Sequence, residues 1–174
     1  MITSFVRAAR RADIEEIARL HIASWRAAYR PFVPGDLLDT QDLDERRELF
    51  TRRFDDGMRF FVDDSAGALR GFVSLGPALD DDLDARRVWT VHNLHVSPEL
   101  RGRNLGAALL EAATSAAAEA GAEAITLWVI EGNTAARRFY ERHGMRCDGR
   151  VKIDRLLGAV DVAEVRYAKA IGGG

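Results

Sequence analysis

The segment Val96-Ser97-Pro98-Glu99-Leu100-Arg101-Gly102-Arg103-Asn104-Leu105-Gly106 gathers the residue types that hold an anionic ligand. It lies between a strand-like apolar run and an alanine-rich helical run. The first amides of a helix have no internal partner, and with the helix dipole they make an anion site. Gly102 and Gly106 let backbone approach a bulky pyrophosphate, and Arg101 and Arg103 add positive charge. The same residues could instead form only a polar turn. No Gly-x-x-x-x-Gly-Lys-Ser/Thr and no Gly-x-Gly-x-x-Gly occurs, so neither common nucleotide motif is supported. His92 and His95 stand just before the loop, and an unperturbed histidine titrates near pH 6.5. Cys147 is the single cysteine. It cannot form an internal disulfide or a site of several cysteines, and it reads as a small hydrophobe.

These residues need a scaffold, and the periodicities predict one. Ser4 to Ala8 reads as a first strand. Asp13 with Glu16 marks a helix start, followed at helical spacing by Ile14, Ile17, Ala18, His21, Ile22 and Trp25, and ending near Tyr29 before Arg30-Pro31. A second helix is predicted from Leu43 to Phe54, with Asp42 and Glu45 at its start. Phe60-Phe61-Val62 and Leu69 to Leu75 form a hairpin about the turn Asp64-Ser65-Ala66-Gly67. The acidic run Asp80-Asp81-Asp82-Leu83-Asp84 is read as a solvated loop, with attraction of a cationic substrate as the second reading. Val88 to Val96 is a long strand, Leu105 to Ala120 a helix stopped by Gly121, Ala124 to Ile130 a strand, and Thr134 to Arg142 a helix. Val151-Lys152-Ile153 and Val160 to Ala168 supply the closing strands. The expected architecture is mixed α/β with one strand–loop–helix–strand crossover from Val88 to Ile130.

The chain has 174 residues and a formal net charge of -2. That length fits one domain, expected over residues 1–171, with 172–174 as a flexible tail. A near-neutral chain has no global field to attract nucleic acid or an anionic membrane, so neither is an expected partner. No apolar run approaches the ~20 residues of a membrane span, and no signal peptide is visible, so a cytoplasmic location is expected. No metal is expected.

Arg101-Gly102-Arg103-Asn104-Leu105-Gly106 resembles the Arg/Gln-x-x-Gly-x-Gly/Ala signature of the GNAT superfamily of N-acetyltransferases. Asn104 departs from the usual glycine, but asparagine tolerates left-handed backbone angles. Trp128 to Met145, with Asn133, the pair Phe139-Tyr140 and Gly144, resembles the family's second signature. The resemblance implies a mostly antiparallel mixed sheet in which two central parallel strands, Val88–Val96 and Ala124–Ile130, splay apart and helices flank them. It implies acetyl-CoA as co-substrate. Backbone at Leu94, His95 and Val96 would hold the pantetheine arm and supply an oxyanion donor. The Arg101–Gly106 amides would hold the pyrophosphate, with Asn133, Ala136 and Arg137 beside the cofactor.

The resemblance further implies that Tyr140 protonates the leaving thiolate and that Asn133 is both helix cap and cofactor contact. Relatives often carry a glutamate where this chain has Thr90, which cannot act as a base. His92 is the expected substitute. Alternation places His92 and His95 on opposite faces of the strand unless a bulge intervenes. Trp25, Tyr29 and Phe32 fall where relatives build the acceptor pocket, and an aromatic wall suits an amine. Trp25 also continues the apolar face of its helix. The expected acceptor is a small-molecule or peptide amine, and a homodimer is expected by family habit. The rival within the fold is a non-catalytic acyl-CoA sensor or scaffold. A nucleotide-dependent kinase is unsupported without a P-loop or magnesium carboxylates near the loop.

Overall fold

A computed structural model of the protein describes residues 5–65, 67–101 and 104–172. The strands are β1 (Val6–Ala8), β2 (Arg59–Asp63), β3 (Gly71–Pro77), β4 (Val88–Val96), β5 (Ala124–Ile130), β6 (Arg146–Leu156) and β7 (Val160–Ala170). The helices are α1 (Ile14–Tyr29), α2 (Gly35–Leu38), α3 (Leu43–Asp55), α4 (Leu105–Glu119) and α5 (Thr134–Arg142). One seven-stranded sheet runs in the order β1-β2-β3-β4-β5-β7-β6. Every neighbouring pair is antiparallel except β4 and β5. Their parallel ladder has only three pairs, Val88 with Ala124, Trp89 with Ile125 and Thr90 with Thr126. Past that point the two strands no longer pair with each other, while β4 stays paired with β3 and β5 with β7. The side chains of Thr90 and Thr126 share a buried hydrogen bond of 2.9 Å at the fork.

Each sheet face carries its own core. On one, Val73, Leu75, Val91, Ile125 and Leu127 pack with Leu109, Leu110 and Ala113 of α4. The alanines of α4 let it lie close to the sheet. A Cβ on Gly71 would come within 2.8 Å of the Leu109 side chain. On the other face, Ile14, Ile17 and Ala18 of α1 and Phe50 of α3 cover Phe60, Val62 and Phe72. The apolar periodicity of α1 and the alternation of β2 and β3 thus each point to a different layer. Fully burying such a side chain contributes roughly 1.5–3 kcal/mol.

The predicted bounds of β4, β5 and α5 hold at both ends, and Gly121, at φ +85°, ends α4 as expected. Ser4 and Ala66 lie outside the described residues. Two local readings are corrected. Asp13 does not cap α1 with its side chain. A 3-10 turn (Arg11–Asp13) precedes the helix, and the Asp13 carboxylate accepts the Arg10 N–H at 2.6 Å and pairs with Arg7 at 2.8 Å. Arg7 on β1 draws Asp13 back toward the sheet. The second correction is β6, which extends from Arg146 to Leu156 rather than over three residues. A register irregularity between Cys147 and Val151, at an exposed sheet edge, breaks the alternation that would have announced the longer strand.

Candidate functional site

The fork between β4 and β5 opens into a cleft of about 910 Å³, bounded by the end of α1, the N-terminus of α4 and one side of α5. Its backbone lining follows from the ladder. Ser97 N–H donates to Arg70 O at 2.8 Å, so Ser97 faces β3. Antiparallel alternation then turns His95 toward β3 and leaves the N–H and C=O of Leu94 and Val96 facing the gap. Leu94 and Val96 therefore offer an unpaired strand edge, while the His95 backbone is committed to β3.

The loop meets α4 at Asn104, whose φ of 61° is left-handed, as its residue type allows. Its side chain makes no cap hydrogen bond, so the first-turn amides of Leu105 and Gly106 stay open at the cleft. A Cβ on Gly106 would sit 3.2 Å from the Phe139 ring, so the glycine lets α4 and α5 close on one another. Gly102 and Arg103 lie outside the described residues. Arg101 lines the cleft and donates to Ser24 O at 3.2 Å, which ties the loop to α1.

Across the cleft, the Asn133 side chain accepts the Ala136 N–H at 3.1 Å and caps α5. Both residues line the cleft. Tyr140 lies about two turns beyond Asn133, packed edge-on to Phe139 and near Tyr167. Burial raises the Tyr140 phenol to about 12, so it stays protonated. Arg137 points elsewhere: its guanidinium donates to Tyr167 Oη and to Glu131 O, each at 3.0 Å.

The histidines depend on a bulge. Asn93 pairs with Ser74 and Val91 with Leu75, which leaves His92 without an opposite residue on β3. Val91 packs toward α4, yet Asn93 turns the other way and donates to Ser74 Oγ. His92 and His95 consequently share the face of α1 and α3. His95 Nδ1 lies 3.1 Å from Ser24 Oγ, and its ring meets His21 at 4.8 Å. Burial lowers both His92 and His95 to about 4, and nearby arginines add to the effect. His21, buried beside Phe50, is lowered by the same cause.

These three imidazoles make stability depend on acid. Each pKa is depressed on folding, so the unfolded chain binds the extra protons below its own value near 6.5. Stability is complete above that pH and is lost as pH falls toward 4. One pKa unit corresponds to ~1.4 kcal/mol, so the combined loss is on the order of several kcal/mol. A melting temperature that falls steadily from pH 6.5 to 4.5 is expected. A flat profile over that range would show that the histidines titrate normally.

Tyr29 lines the cleft mouth with Phe32, which touches Gly132, whereas Trp25 stacks on Tyr29 at 4.3 Å and braces it from behind. The Thr90 hydroxyl is engaged with Thr126 at the fork. The acidic run is not merely solvated. Asp82 takes two hydrogen bonds from Arg166, at 2.8 and 2.7 Å, and Asp80 accepts the Trp128 indole N–H at 3.1 Å. Ser24, Lys152 and Glu164 were not singled out in the sequence. Alternation on β7 offered one signal, because Val165 and Tyr167 are core and Glu164 must face the other side. Among the described residues, no group of three or more histidine, cysteine or acidic side chains is placed to hold a metal. No helix among them is long and apolar enough to cross a membrane.

Comparisons with known proteins bear on the family to which this fold belongs. Residues 14–145 match the Acetyltransferase (GNAT) family. The chain belongs to the GNAT acetyltransferase family. An uncharacterized N-acetyltransferase of Archaeoglobus fulgidus is 30% identical to this GNAT protein over 144 residues, covering 81% of this chain and 92% of the relative. A probable N-acetyltransferase of Mycobacterium tuberculosis is 27% identical over 167 residues, covering 93% and 91%. In fold, this GNAT chain is similar to PaiA N-acetyltransferase of Thermoplasma acidophilum, solved in complex with coenzyme A. The TM-score is 0.75 at 18% identity, over 97% of this chain and 99% of that one. YncA of Salmonella typhimurium, solved with its cofactor acetyl-CoA, gives a TM-score of 0.73 at 18% identity, over 99% and 96%.

Proposed function

We propose that the protein transfers the acetyl group of acetyl-CoA to a primary amine of a small molecule or peptide, by direct attack of the amine on the thioester. The observation that carries this reading is the open edge of β4 at Leu94 and Val96, which leads from Tyr140 to the uncapped amides of α4. The site fits the co-substrate: the edge matches an amide-bearing arm, and the helix N-terminus with Arg101 matches a pyrophosphate. Acetyl-CoA supplies an acetyl group already activated as a thioester, so the protein needs no nucleophile of its own.

The chain's own groups then divide the work. The N–H groups on the open edge donate to the oxygen that gains charge during attack. Tyr140 holds its proton at any working pH and donates it toward the departing sulfur. Asn133 caps α5 with its carbonyl oxygen, which leaves its amide N–H groups to face the cleft. His92 is neutral and lines the cleft, so it can accept a proton from the amine. A basicity near 4 makes it a relay that hands the proton on to water rather than a store for it. Activity should therefore rise with pH following the amine's own ionisation, with no histidine inflection near 6.5.

The test begins with melting temperature, with and without acetyl-CoA, and with ATP as control. At ~100 times its Kd, a ligand that binds only the folded state adds ~2.7 kcal/mol. A rise with acetyl-CoA alone, followed by amine-dependent release of CoA thiol, is the expected result. A folded protein that shows no rise at saturating acetyl-CoA would sink the proposal.

A further inference from the structure

On the α1 side of the sheet, next to the cleft, three strands bring together an ammonium, an indole and a carboxylate. Lys152 Nζ on β6 lies 4.5 Å from the centre of the Trp128 ring on β5 and 3.3 Å from Glu164 Oε2 on β7. Trp128 lines the cleft, and Glu164 is 8% exposed. The Lys152 side chain, by contrast, is 44% exposed. A half-exposed surface lysine thus places its charged end between an aromatic face and a buried carboxylate. The receiving groups are the ones that bind alkylammonium ions in general.

The charge around this point is unbalanced. Among the described residues, Asp80, Asp82, Asp148, Asp154 and Glu164 share the neighbourhood with Arg150, Lys152 and Arg166, and with Arg53, whose field also reaches His92. Arg166 is spent on Asp82 and Asp148, and Arg150 on Asp82. Among the described residues, Lys152 alone pairs with Glu164, with the charge of Asp154 close by. The region is also continuous with the reaction site. The fields of Asp80 and Lys152 reach His92, and that of Glu164 reaches Tyr29, whose phenol in turn feels Tyr140.

We infer that the acceptor carries a second positive charge, apart from the amine that is acetylated, and that this charge is bound by Glu164 and Trp128 in the place filled by Lys152 Nζ in the free protein. The inference rests on the proposed amine transfer and adds the acceptor's class, a dicationic amine. Lys152 is then a stand-in. It keeps the carboxylate satisfied until the acceptor displaces it, and its long exposed stem lets it swing away. The acidic run at Asp80 and Asp82 acquires a purpose in the same step. It holds Arg166 and the Trp128 indole in place and keeps the local field negative.

The experiment compares α,ω-diaminoalkanes, from propane to octane, with the monoamine of each chain length. Both kcat/KM by CoA thiol release and Kd by calorimetry are measured. In the wild type, the best diamine should exceed its monoamine by about tenfold or more, the worth of one charge-assisted, aromatic-backed contact. Glu164→Gln should bring that ratio toward one. Lys152→Met removes the internal competitor and should raise it. Reading a ratio cancels any general loss of activity or folded fraction. A wild-type ratio near one across the series overturns the inference, as does a ratio untouched by Glu164→Gln or lowered by Lys152→Met. If no amine releases thiol although acetyl-CoA binds, the transfer reading fails. The Kd ratios for the same variants then decide the cation site separately.

Discussion

Replacing Tyr140 with phenylalanine lowers kcat by about two orders of magnitude or more while the acetyl-CoA-dependent rise in melting temperature remains. In the proposed transfer, the Tyr140 phenol is the cleft group that gives its proton to the departing sulfur. It has no hydrogen-bond partner among the described residues, and burial holds it at about 12. A thiol released to water has a pKa near 8.5, so transfer from such a phenol is uphill in isolation. The same dry surroundings raise the thiol's own pKa, because burial penalises any unpaired anion. The two shifts offset, and positioning supplies the remainder. Phenylalanine keeps the edge contact with Phe139 at 5.3 Å and the packing on Tyr167, so the helix and the cleft survive. A general acid is worth typically 10²–10⁴ in rate, which sets the expected loss. Steady-state thiol release and a thermal shift on the same preparation check both halves. Wild-type turnover in Tyr140→Phe would move the proton donor elsewhere. A wild type that binds acetyl-CoA yet acetylates no amine would favour the sensor reading.

The parts of this site that could be read from the chain are those built from neighbours in sequence. Asn104, Leu105 and Gly106 stand together at one helix start, and Asn133 and Tyr140 belong to one short helix, so spacing alone carries them. β4 was legible at both ends, but the face of its histidines was not. The bulge at His92 arises in the register with β3, and register belongs to a pair of strands. Distance in sequence hid the rest. His95 meets Ser24 across 71 positions, and Asp80 meets Trp128 across 48. Glu164 and Lys152 fall in two strands that the sequence does predict, but their pairing belongs to the register between those strands, and the irregularity between Cys147 and Val151 hid the start of β6. The acidic run looked solvated because its partners, Arg166 and Trp128, come from other strands. Local composition reports that such residues are charged, and only the sheet order says what they face.

The largest loss of stability is expected from Asp63→Ala. Asp63 ends β2 with a side chain that is 0% exposed, and Arg70, just before β3, is 9% exposed at its side chain. Arg70 Nε and an Nη donate to the two carboxylate oxygens at 3.0 and 3.1 Å. The Ser65 N–H and hydroxyl also donate to Asp63 Oδ1, at 3.1 and 2.8 Å. Alanine would leave a guanidinium buried without its anion, which typically costs about 3–5 kcal/mol. In a chain of this size each kcal/mol moves the melting temperature by roughly 2–4 °C, so the fall should be on the order of 10 °C. The pair itself contributes much less than that, because both charges first had to leave water. Asp63→Leu combined with Arg70→Met should therefore recover most of the loss. Arg70 also reaches the functional cleft through its backbone, since its carbonyl accepts the Ser97 N–H as β4 leaves the sheet. The double variant should then keep the acetyl-CoA-dependent rise in melting temperature, because that backbone contact needs neither charge. An Asp63→Ala protein that melts within a degree or two of the wild type would mean that water reaches the pair.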